Sequence, residues 1–349
     1  MTQSRSNTRI TLLAVAASAA LLLSGCVAGE NQPAAEPAAA AGEDTVTTGG
    51  TLDIDFATYN PLSLVIKDQG WLEDALSEQE IAVNWVQSAG SNKANEALRA
   101  NAIDVGSTAG SAALLFRSNG SPIQVIDIFS QPEWAALVVP GNSTITDVAD
   151  LKGKQIAATK GTDPYFFLLQ ALEEAGLTLD DVTVQNLQHA DGWAALQNGS
   201  VDAWAGLDPI MAGAEAAGAE LLYRNVDFNS YGFLNATESF LTEKPDVAQT
   251  VVDVYEHARA WALANPEKTA EILAGVSGLD LAVATTVISE RSNLDVDNVP
   301  GKAQLTVLKK IGPTFVAAGD VAAQSQIDDA LDTIINDTFA IKADPSVVE

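Results

Sequence analysis

Residues 97–104 read ALRANAID, and residues 195–202 read ALQNGSVD. In both stretches a helical pattern ends, a short turn follows, and a strand opened by Asp begins. Two copies of one helix–turn–strand unit predict two similar α/β lobes. In open α/β sheets, ligands lie beyond the carboxyl ends of the strands, near helix N-termini. Two such sheet edges facing each other would form a cleft.

Around these units, short apolar runs alternate with amphipathic stretches. A period of two residues predicts a strand, and a period of 3.6 residues predicts a helix. The predicted strands are 52–56, 81–86, 104–106, 123–129, 135–139, 155–158, 182–186 and 201–204. The predicted helices are 61–76 with a break at Gly70, 92–101, 110–118, 163–175, 191–198, 209–217, 244–264, 266–273, 279–292, 304–318 and 322–336. Strands that alternate with helices predict an α/β fold of parallel βαβ units, followed by a helical C-terminal region.

The N-terminus has the pattern of an export signal. Arg5 and Arg9 precede an apolar run over residues 10–23, which is too short to span a bilayer. Residues 23–26, LSGC, resemble the bacterial lipobox, in which the mature chain begins at a lipid-modified Cys. We therefore expect a signal peptide over 1–25, lipidation of Cys26, and a lipid anchor and flexible tether over 26–49. A plain signal peptide that happens to contain a Cys is the alternative.

Composition excludes several classes of function. The chain has 349 residues, with 18 Lys and Arg against 46 Asp and Glu, and a net charge of −28. Such a field repels nucleic acid and anionic lipid head groups, so we expect no nucleic-acid partner. Cys26 is the only cysteine, so no disulfide can form within the chain. His189 and His257 lack metal-ligand spacing, and we expect neither a metal nor a cofactor.

Several motifs occur in an order and spacing typical of one family. Residues 59–73 hold Tyr-Asn-Pro and IKDQGWLE, and residues 105–123 hold VGST and Ser-Pro-Ile. The most specific stretch is 138–215, which holds DVADLKGK at 147–154, Lys-Gly-Thr at 160–162, VDAW at 201–204 and Asp-Pro at 208–209. The chain resembles the substrate-binding proteins of ABC importers, in the group that binds aliphatic sulfonates and taurine, nitrate or bicarbonate, and thiamine precursors.

The resemblance implies a periplasmic-binding-protein type II-like fold, with a ligand cleft between two lobes. Lobe I would contain residues 50–135 plus 232–349, and lobe II residues 136–231. The resemblance also implies an ABC permease and ATPase as partners. This chain has no Walker motif of its own, so energy coupling must come from them. We expect a monomer, held by its lipid at the outer face of the cytoplasmic membrane.

The candidate ligand-binding residues follow predicted strands or open predicted helices. In lobe I the hydroxyls and free N–H groups at the start of helix 110–118 favour an anionic head group. The alternative is that these residues simply cap the helix, and the two roles can coexist. An aromatic side chain after the first strand could pack on an alkyl part of the ligand. The candidates are Tyr59, Asn60, Thr108, Gly110, Ser111, Glu133, Trp134, Thr162, Asp163, Asp191, Trp204 and Asp208.

The charges among these candidates bear on the ligand. Glu133, Asp163, Asp191 and Asp208 are acids, and the motif positions contain no Arg. A nitrate or dianion site would normally use Arg or a metal. Taurine, with a sulfonate and an ammonium, suits helix N-termini on one side and an acid on the other. An amine-bearing or cationic ligand, such as a thiamine-precursor-like heterocycle, is the alternative. Arg99, Arg117 or Lys160 would reverse this argument if one of them entered the cleft.

An enzyme on the same fold is the rival class of function. The chain has no Gly-x-Ser-x-Gly nucleophile turn, and neither histidine lies in a recognisable catalytic motif. The acids could still form a hydrolytic pair, because their separation cannot be read from sequence. We therefore predict a non-enzymatic binding protein without catalytic residues.

Overall fold

The computed structural model describes residues 46–348, which contain two five-stranded sheets. The first sheet consists of Thr51–Phe56 (β1), Ala82–Gln87 (β2), Val105–Ala109 (β3), Ile123–Ser130 (β4) and Gly232–Thr237 (β10), in the order β2-β1-β3-β10-β4. The second consists of Ala135–Pro140 (β5), Gln155–Ala158 (β6), Thr183–Asn186 (β7), Ala203–Leu207 (β8) and Ala219–Tyr223 (β9), in the order β7-β6-β8-β5-β9. Each sheet and its helices form one lobe, as the two-lobed α/β prediction required.

Helices follow most of these strands and cover the sheets. Those between the strands are Pro61–Gln69 (α1), Trp71–Leu76 (α2), Ser91–Arg99 (α3), Gly110–Ser118 (α4), Asp163–Glu174 (α5), His189–Gln197 (α6) and Ile210–Ala216 (α7). The C-terminal region contains Glu238–Glu243 (α8), Pro245–Ala264 (α9), Pro266–Ser277 (α10), Leu281–Thr286 (α11), the π-helical segment Val287–Arg291, Lys302–Ala317 (α12), Gln324–Thr333 (α13) and Thr338–Ile341 (α14). The predicted break at Gly70 is confirmed, because this residue adopts a φ of 74° that glycine accommodates without strain.

The predicted parallel βαβ units are present in both sheets, and each sheet also contains antiparallel pairs that the sequence did not predict. β10 runs antiparallel to both β3 and β4, and β5 runs antiparallel to both β8 and β9. The chain passes from the first sheet to the second at 131–134 and returns at 224–231. The strand that follows the first passage, β5, lies next to β8, and the strand that follows the return, β10, lies next to β3. β9 and β10 were not predicted as strands. Only the single 3₁₀ turn Val226–Phe228 separates them, so they do not show the alternation of strands with α-helices on which the prediction relied.

The repeated sequence unit corresponds to a repeated structural unit. β1 pairs in parallel with β2 and β3, and β6 pairs in parallel with β7 and β8. Asp104 N donates to Asp53 O, and Asp53 N donates to Asp104 Oδ2 at 3.0 Å. Asp202 N donates to Gln155 O, and Gln155 N donates to Asp202 Oδ2 at 2.9 Å. The Asp at the end of each repeat therefore fastens its strand to the start of the neighbouring strand, and the prediction of two similar lobes is confirmed.

Gly232, at the start of β10, permits close packing at the return passage. A Cβ at this position would lie 2.5 Å from Phe129 Cζ and 2.5 Å from Ser130 Oγ. We expect Gly232→Ala to lower the free energy of unfolding by about 1–3 kcal/mol, as overpacking commonly does. Gly275→Ala, in the exposed interior of α10 with no heavy atom within 4 Å, should instead raise it by about 0.5–1 kcal/mol. Chemical denaturation measures both, and equal effects of the two substitutions would contradict the packing argument.

The predicted signal peptide, the lipidation site Cys26 and most of the predicted tether lie outside the described residues. The last residues of that tether contact the folded body: Thr47 N and Oγ1 each donate to the Asp246 carboxylate at 2.5 Å, and Gly49 N donates to Gln79 O. Within residues 46–348, no helix is long and apolar enough to cross a membrane.

Candidate functional site

The carboxyl ends of the parallel strands in the two lobes face each other. Gly90, between β2 and α3, lies against His189 at the start of α6, and its Cβ would be 3.1 Å from His189 Nε2. Gly161, before α5, lies against Asn92 in the first turn of α3. Helix N-termini of one lobe thus contact helix N-termini of the other. The two lobes therefore contact each other at the boundary where the cleft was predicted.

Asp163, the first residue of α5, is the centre of the contacts between the lobes. Its Oδ1 accepts from Ser111 Oγ in α4 and from Ser230 Oγ at 2.7 Å. Its Oδ2 accepts from Trp134 Nε1 at 2.7 Å and from Ser230 N at 2.8 Å. The carboxylate is buried, and burial raises its pKa while these hydrogen bonds oppose the rise. Asp163 therefore joins the two lobes and both passages between the sheets.

The predicted hydroxyl and glycine sites lie close to this network, and their hydrogen bonds are internal. Gly110 N donates to Tyr231 O, and Ser111 N donates to Ser230 Oγ at 3.1 Å. Thr108 Oγ1 donates to Ala109 O, and Thr162 Oγ1 donates to Thr159 O at 2.6 Å. The N-termini of α4 and α5 are thus occupied by groups of the protein itself.

Tyr59 and Trp134 form an aromatic wall at the first passage between the sheets. Their rings meet edge to face with centroids 6.1 Å apart, and Tyr59 Oη donates to Ser107 O at 2.9 Å. Asn60 caps α1 by accepting from Ser63 N, and its amide donates to Tyr255 Oη. A small cavity of about 10 Å³, which holds about one water molecule, adjoins this wall. It is lined by Thr58, Tyr59, Pro61, Ser130, Pro132, Trp134, Asp208, Val287, Arg291 and Ser292.

The prediction that the cleft lacks Arg is wrong, because Arg291 lines this cavity. Its Nη1 lies 3.3 Å from both carboxylate oxygens of Asp208, and its Nη2 lies 2.5 Å from Glu215 Oε2. Burial raises the pKa of Asp208 to about 6, although Arg291 pulls it down. Glu133 is also paired, through two hydrogen bonds from Arg224 of 3.1 and 2.7 Å. Sequence could not reveal these pairs, because both arginines lie far along the chain from their acids.

The remaining predicted residues lie away from this network. Asp191 is exposed in the first turn of α6. Trp204 is fully buried in the core of the second lobe, with its ring 6.1 Å from that of Trp193. Arg99, Arg117 and Lys160, which could have reversed the charge argument, lie elsewhere. Arg99 stacks on Phe116, Arg117 pairs with Glu238, and Lys160 is exposed with its Nζ 5.6 Å from the Tyr165 ring centroid.

Two polar residues at the cleft were missed by the sequence argument. Asp55, in β1, is completely buried, and its Oδ1 accepts from Ser107 N and Oγ at 2.8 and 2.9 Å. Burial raises its pKa to about 7. His189 is buried at the first position of α6, and burial lowers its pKa to about 3. One signal was available: the inward positions of α3 include Ser91, Asn92 and Asn95, where a core-facing helix normally carries apolar residues. The described residues contain no group of three His, Cys, Asp or Glu side chains placed to hold a metal ion.

Comparison with known families identifies the chain. A family described as NMT1/THI5 like matches residues 63–269. The chain belongs to the NMT1/THI5-like family. It is 30% identical over 234 residues to a putative aliphatic sulfonates-binding protein of Escherichia coli (strain K12), a match that covers 66% of this chain and 73% of that protein.

Solved structures agree with this NMT1/THI5-like assignment. The alkanesulfonate-binding protein SsuA from Xanthomonas axonopodis pv. citri, bound to MOPS, superposes with a TM-score of 0.74 at 26% identity, over 82% of this chain and 99% of that chain. The predicted fold and the resemblance to ABC-importer substrate-binding proteins are confirmed. The desulfurization enzyme DszB shares the fold alone, with a TM-score of 0.60 at 16% identity over 84% of this chain and 98% of that chain. The fold therefore occurs in an enzyme as well as in binding proteins, while the sequence relatives carry the names of binding proteins.

Proposed function

We propose that this NMT1/THI5-like protein is an exported, lipid-anchored receptor that captures a small aliphatic sulfonate and delivers it to an ABC importer. Taurine is our preferred ligand, and the protein acts as a monomer that makes and breaks no bonds of the ligand. The match to a sulfonate-binding protein over 73% of that protein's length carries the proposal. The cleft between the two lobes supports it, because a ligand closed between lobes is largely buried.

A sulfonate would lie where α3 of one lobe meets α6 of the other. The first N–H groups of a helix have no partner within the helix, and the helix dipole favours an anion at this end. Asp163 already occupies the corresponding position between α4 and α5. Gly90 and His189 contact each other at the start of α3 and α6, so an anion here would touch both lobes when they close. Opening at the passages 131–134 and 224–231 would admit it, as in other hinged binding proteins.

An amine-bearing or cationic ligand without a sulfonate is the second candidate. Asp55 favours it, because this buried carboxylate forms none of the salt bridges found among the described residues. The four acids on which the sequence argument relied support an amine-bearing ligand less well than Asp55 does. Asp163, Asp208 and Glu133 are satisfied by donors of the protein, and Asp191 is exposed.

A thermal-shift screen of the purified protein tests both candidates. The ligands are taurine, alkanesulfonates, nitrate, thiamine precursors and simple amines, each at a concentration far above the expected Kd. A ligand that binds only the folded protein stabilises it by about 2.7 kcal/mol at 100 times its Kd. We expect shifts with taurine and with alkanesulfonates. Shifts with amines or cationic heterocycles alone would favour the second candidate, and the absence of any shift would contradict both.

A further inference from the structure

Asp55 is a buried carboxylate whose hydrogen bonding is incomplete. Its Oδ1 accepts from Ser107, whereas its Oδ2 is buried and has no hydrogen-bond partner among the described residues. The side chain lies near the carboxyl end of β1. The hydroxyl of Ser88, which follows β2, lies close enough to lower the pKa of Asp55 but does not reach hydrogen-bond geometry with Oδ2. These strand ends face the second lobe. A carboxylate in this position normally has a cation or further donors, because an unpaired buried charge is costly.

His189 presents a second incomplete acceptor from the opposite lobe. Thr159 Oγ1 donates to Leu187 O at 2.7 Å, so the same oxygen must accept at 3.2 Å from His189 Nδ1. The neutral imidazole therefore carries its proton on Nδ1, and Nε2 is an acceptor. Nε2 is buried without a partner among the described residues, and it points toward Gly90. Gly90 lies only two residues after Ser88, so His189 and Asp55 approach the same loop from two sides.

Asn235, in β10, adds a third acceptor to the first lobe. Its Nδ2 donates to Thr108 Oγ1 at 2.8 Å and to Gly106 O at 3.3 Å, which fixes the orientation of the amide. Its Oδ1 is then the end without a partner. The ionised Asp55 carboxylate, His189 Nε2 and Asn235 Oδ1 are thus buried acceptors that lack donors among the described residues. A sulfonate has only acceptor oxygens and cannot satisfy any of them, whereas an ammonium group brings three N–H donors.

We propose that Asp55 and His189 bind the amino group of the ligand from opposite lobes, so that the receptor selects amine-bearing sulfonates of the taurine class over plain alkanesulfonates. This inference rests on the proposed function, and it assigns the selectivity to two residues that were not among the candidates predicted from the sequence. The sulfonate would contact the N-termini of α3 and α6, and the ammonium would lie below it, toward β1.

The cost of keeping Asp55 supports a functional role. Its neighbours are the hydroxyls of Ser88 and Ser107 and the phenols of Tyr59 and Tyr255, and none of these groups carries a positive charge that could compensate the carboxylate. Burial raises its pKa to about 7 from 3.8, so the folded protein is favoured when Asp55 is protonated. The contribution of Asp55 to the free energy of unfolding is fully present below its unfolded pKa of 3.8, and it is lost as the pH rises through about 7. A carboxylate that destabilises the protein without its ligand is typical of a binding site.

Calorimetric titration with matched ligands tests the inference. Taurine and ethanesulfonate differ only in the amino group, and propylamine supplies an amine without a sulfonate. We expect the wild type to bind taurine about 10–100-fold more tightly than ethanesulfonate, as hydrogen bonds to charged groups imply. Asp55→Asn should abolish this preference by weakening the binding of taurine, and it should not weaken the binding of ethanesulfonate, because removing a carboxylate near a bound sulfonate removes a repulsion. Asp53→Asn, the same change in the same strand but outside the cleft, should preserve the preference.

The outcomes separate this inference from the proposed function. Equal affinities for taurine and ethanesulfonate in the wild type, or an unchanged preference in Asp55→Asn, would overturn the inference and leave the sulfonate receptor standing. Binding of propylamine that depends on Asp55, without binding of either sulfonate, would overturn the proposed function and support the amine site. No binding of any of the three would overturn both. Thermal denaturation at pH 8 provides the folding control: Asp55→Asn should melt at the wild-type temperature or above it, whereas a lower melting temperature would indicate a structural role.

Discussion

Arg291→Met is expected to lower the free energy of unfolding by about 3–5 kcal/mol, because it leaves the buried Asp208 carboxylate without its cation. The Arg291 side chain is 7% exposed and Asp208 is 4% exposed, so water cannot replace the lost partner. The pair also joins the C-terminal helical region to the end of β8. A loss of this size corresponds to a fall of roughly 10 °C in Tm. Thermal denaturation followed by circular dichroism measures it.

Two comparisons isolate the cause of this loss. Arg224→Met removes an equally well-formed pair with Glu133, but Arg224 is 39% exposed, so the cost should stay below about 1 kcal/mol. Combining Arg291→Met with Asp208→Asn should recover much of the stability, because no buried charge remains. Similar losses for Arg291→Met and Arg224→Met would contradict the argument from burial.

The cost of Arg291→Met should also depend on pH. Asp208 titrates with a pKa raised to about 6 in the folded wild type, against an ordinary value of 3.8. Its stabilising contribution is complete below about pH 4 and is lost as the pH rises through 6. Removing Arg291 raises this pKa further. The difference between variant and wild type should therefore be small at pH 5, where Asp208 is mostly protonated in both, and large at pH 8.

Asp163→Ala is expected to lower the free energy of unfolding by about 2–4 kcal/mol and to loosen the contact between the lobes. The substitution leaves Trp134 Nε1–H and Ser230 N–H as buried donors without acceptors, at a cost of about 1–3 kcal/mol each. Part of this cost is recovered, because the substitution also removes a carboxylate whose burial is unfavourable, as its raised pKa indicates. Ser111 also loses its bond to the opposite lobe. Thermal denaturation measures the loss, and small-angle X-ray scattering measures any increase in the radius of gyration.

Asp163→Asn is the matched control for this substitution. The amide oxygen can still accept from Trp134 and Ser230 N, while the amide nitrogen can donate to the hydroxyls of Ser111 and Ser230 after these rotate. We expect this variant to lose less than about 1.5 kcal/mol and to keep the radius of gyration of the wild type. If Asp163→Ala matched the wild type in both measurements, Asp163 would not be the residue that holds the lobes together.

The sequence alone determined the local elements and their repetition. The two helix–turn–strand units, the break at Gly70 and the helical C-terminal region follow from periodicity and turn residues, which depend on neighbours only a few positions away. The paired Asp104 and Asp202 recur because each performs the same local task, bonding to the start of the adjacent strand. The family motifs added the prediction that these elements form a two-lobed fold.

Only the tertiary structure decided the charges and the hydrogen bonding at the cleft. Asp208 and Arg291 are 83 positions apart, and Asp163 and Ser230 are 67 apart. No local pattern encodes such pairs, because they depend on where β10 enters the first sheet and on how the lobes close. Asp55 was hidden for the same reason. It appeared in the alternating pattern of β1 as an ordinary polar residue, and only the packing of Ser88, Ser107, Tyr59 and Tyr255 around it removes water from its carboxylate.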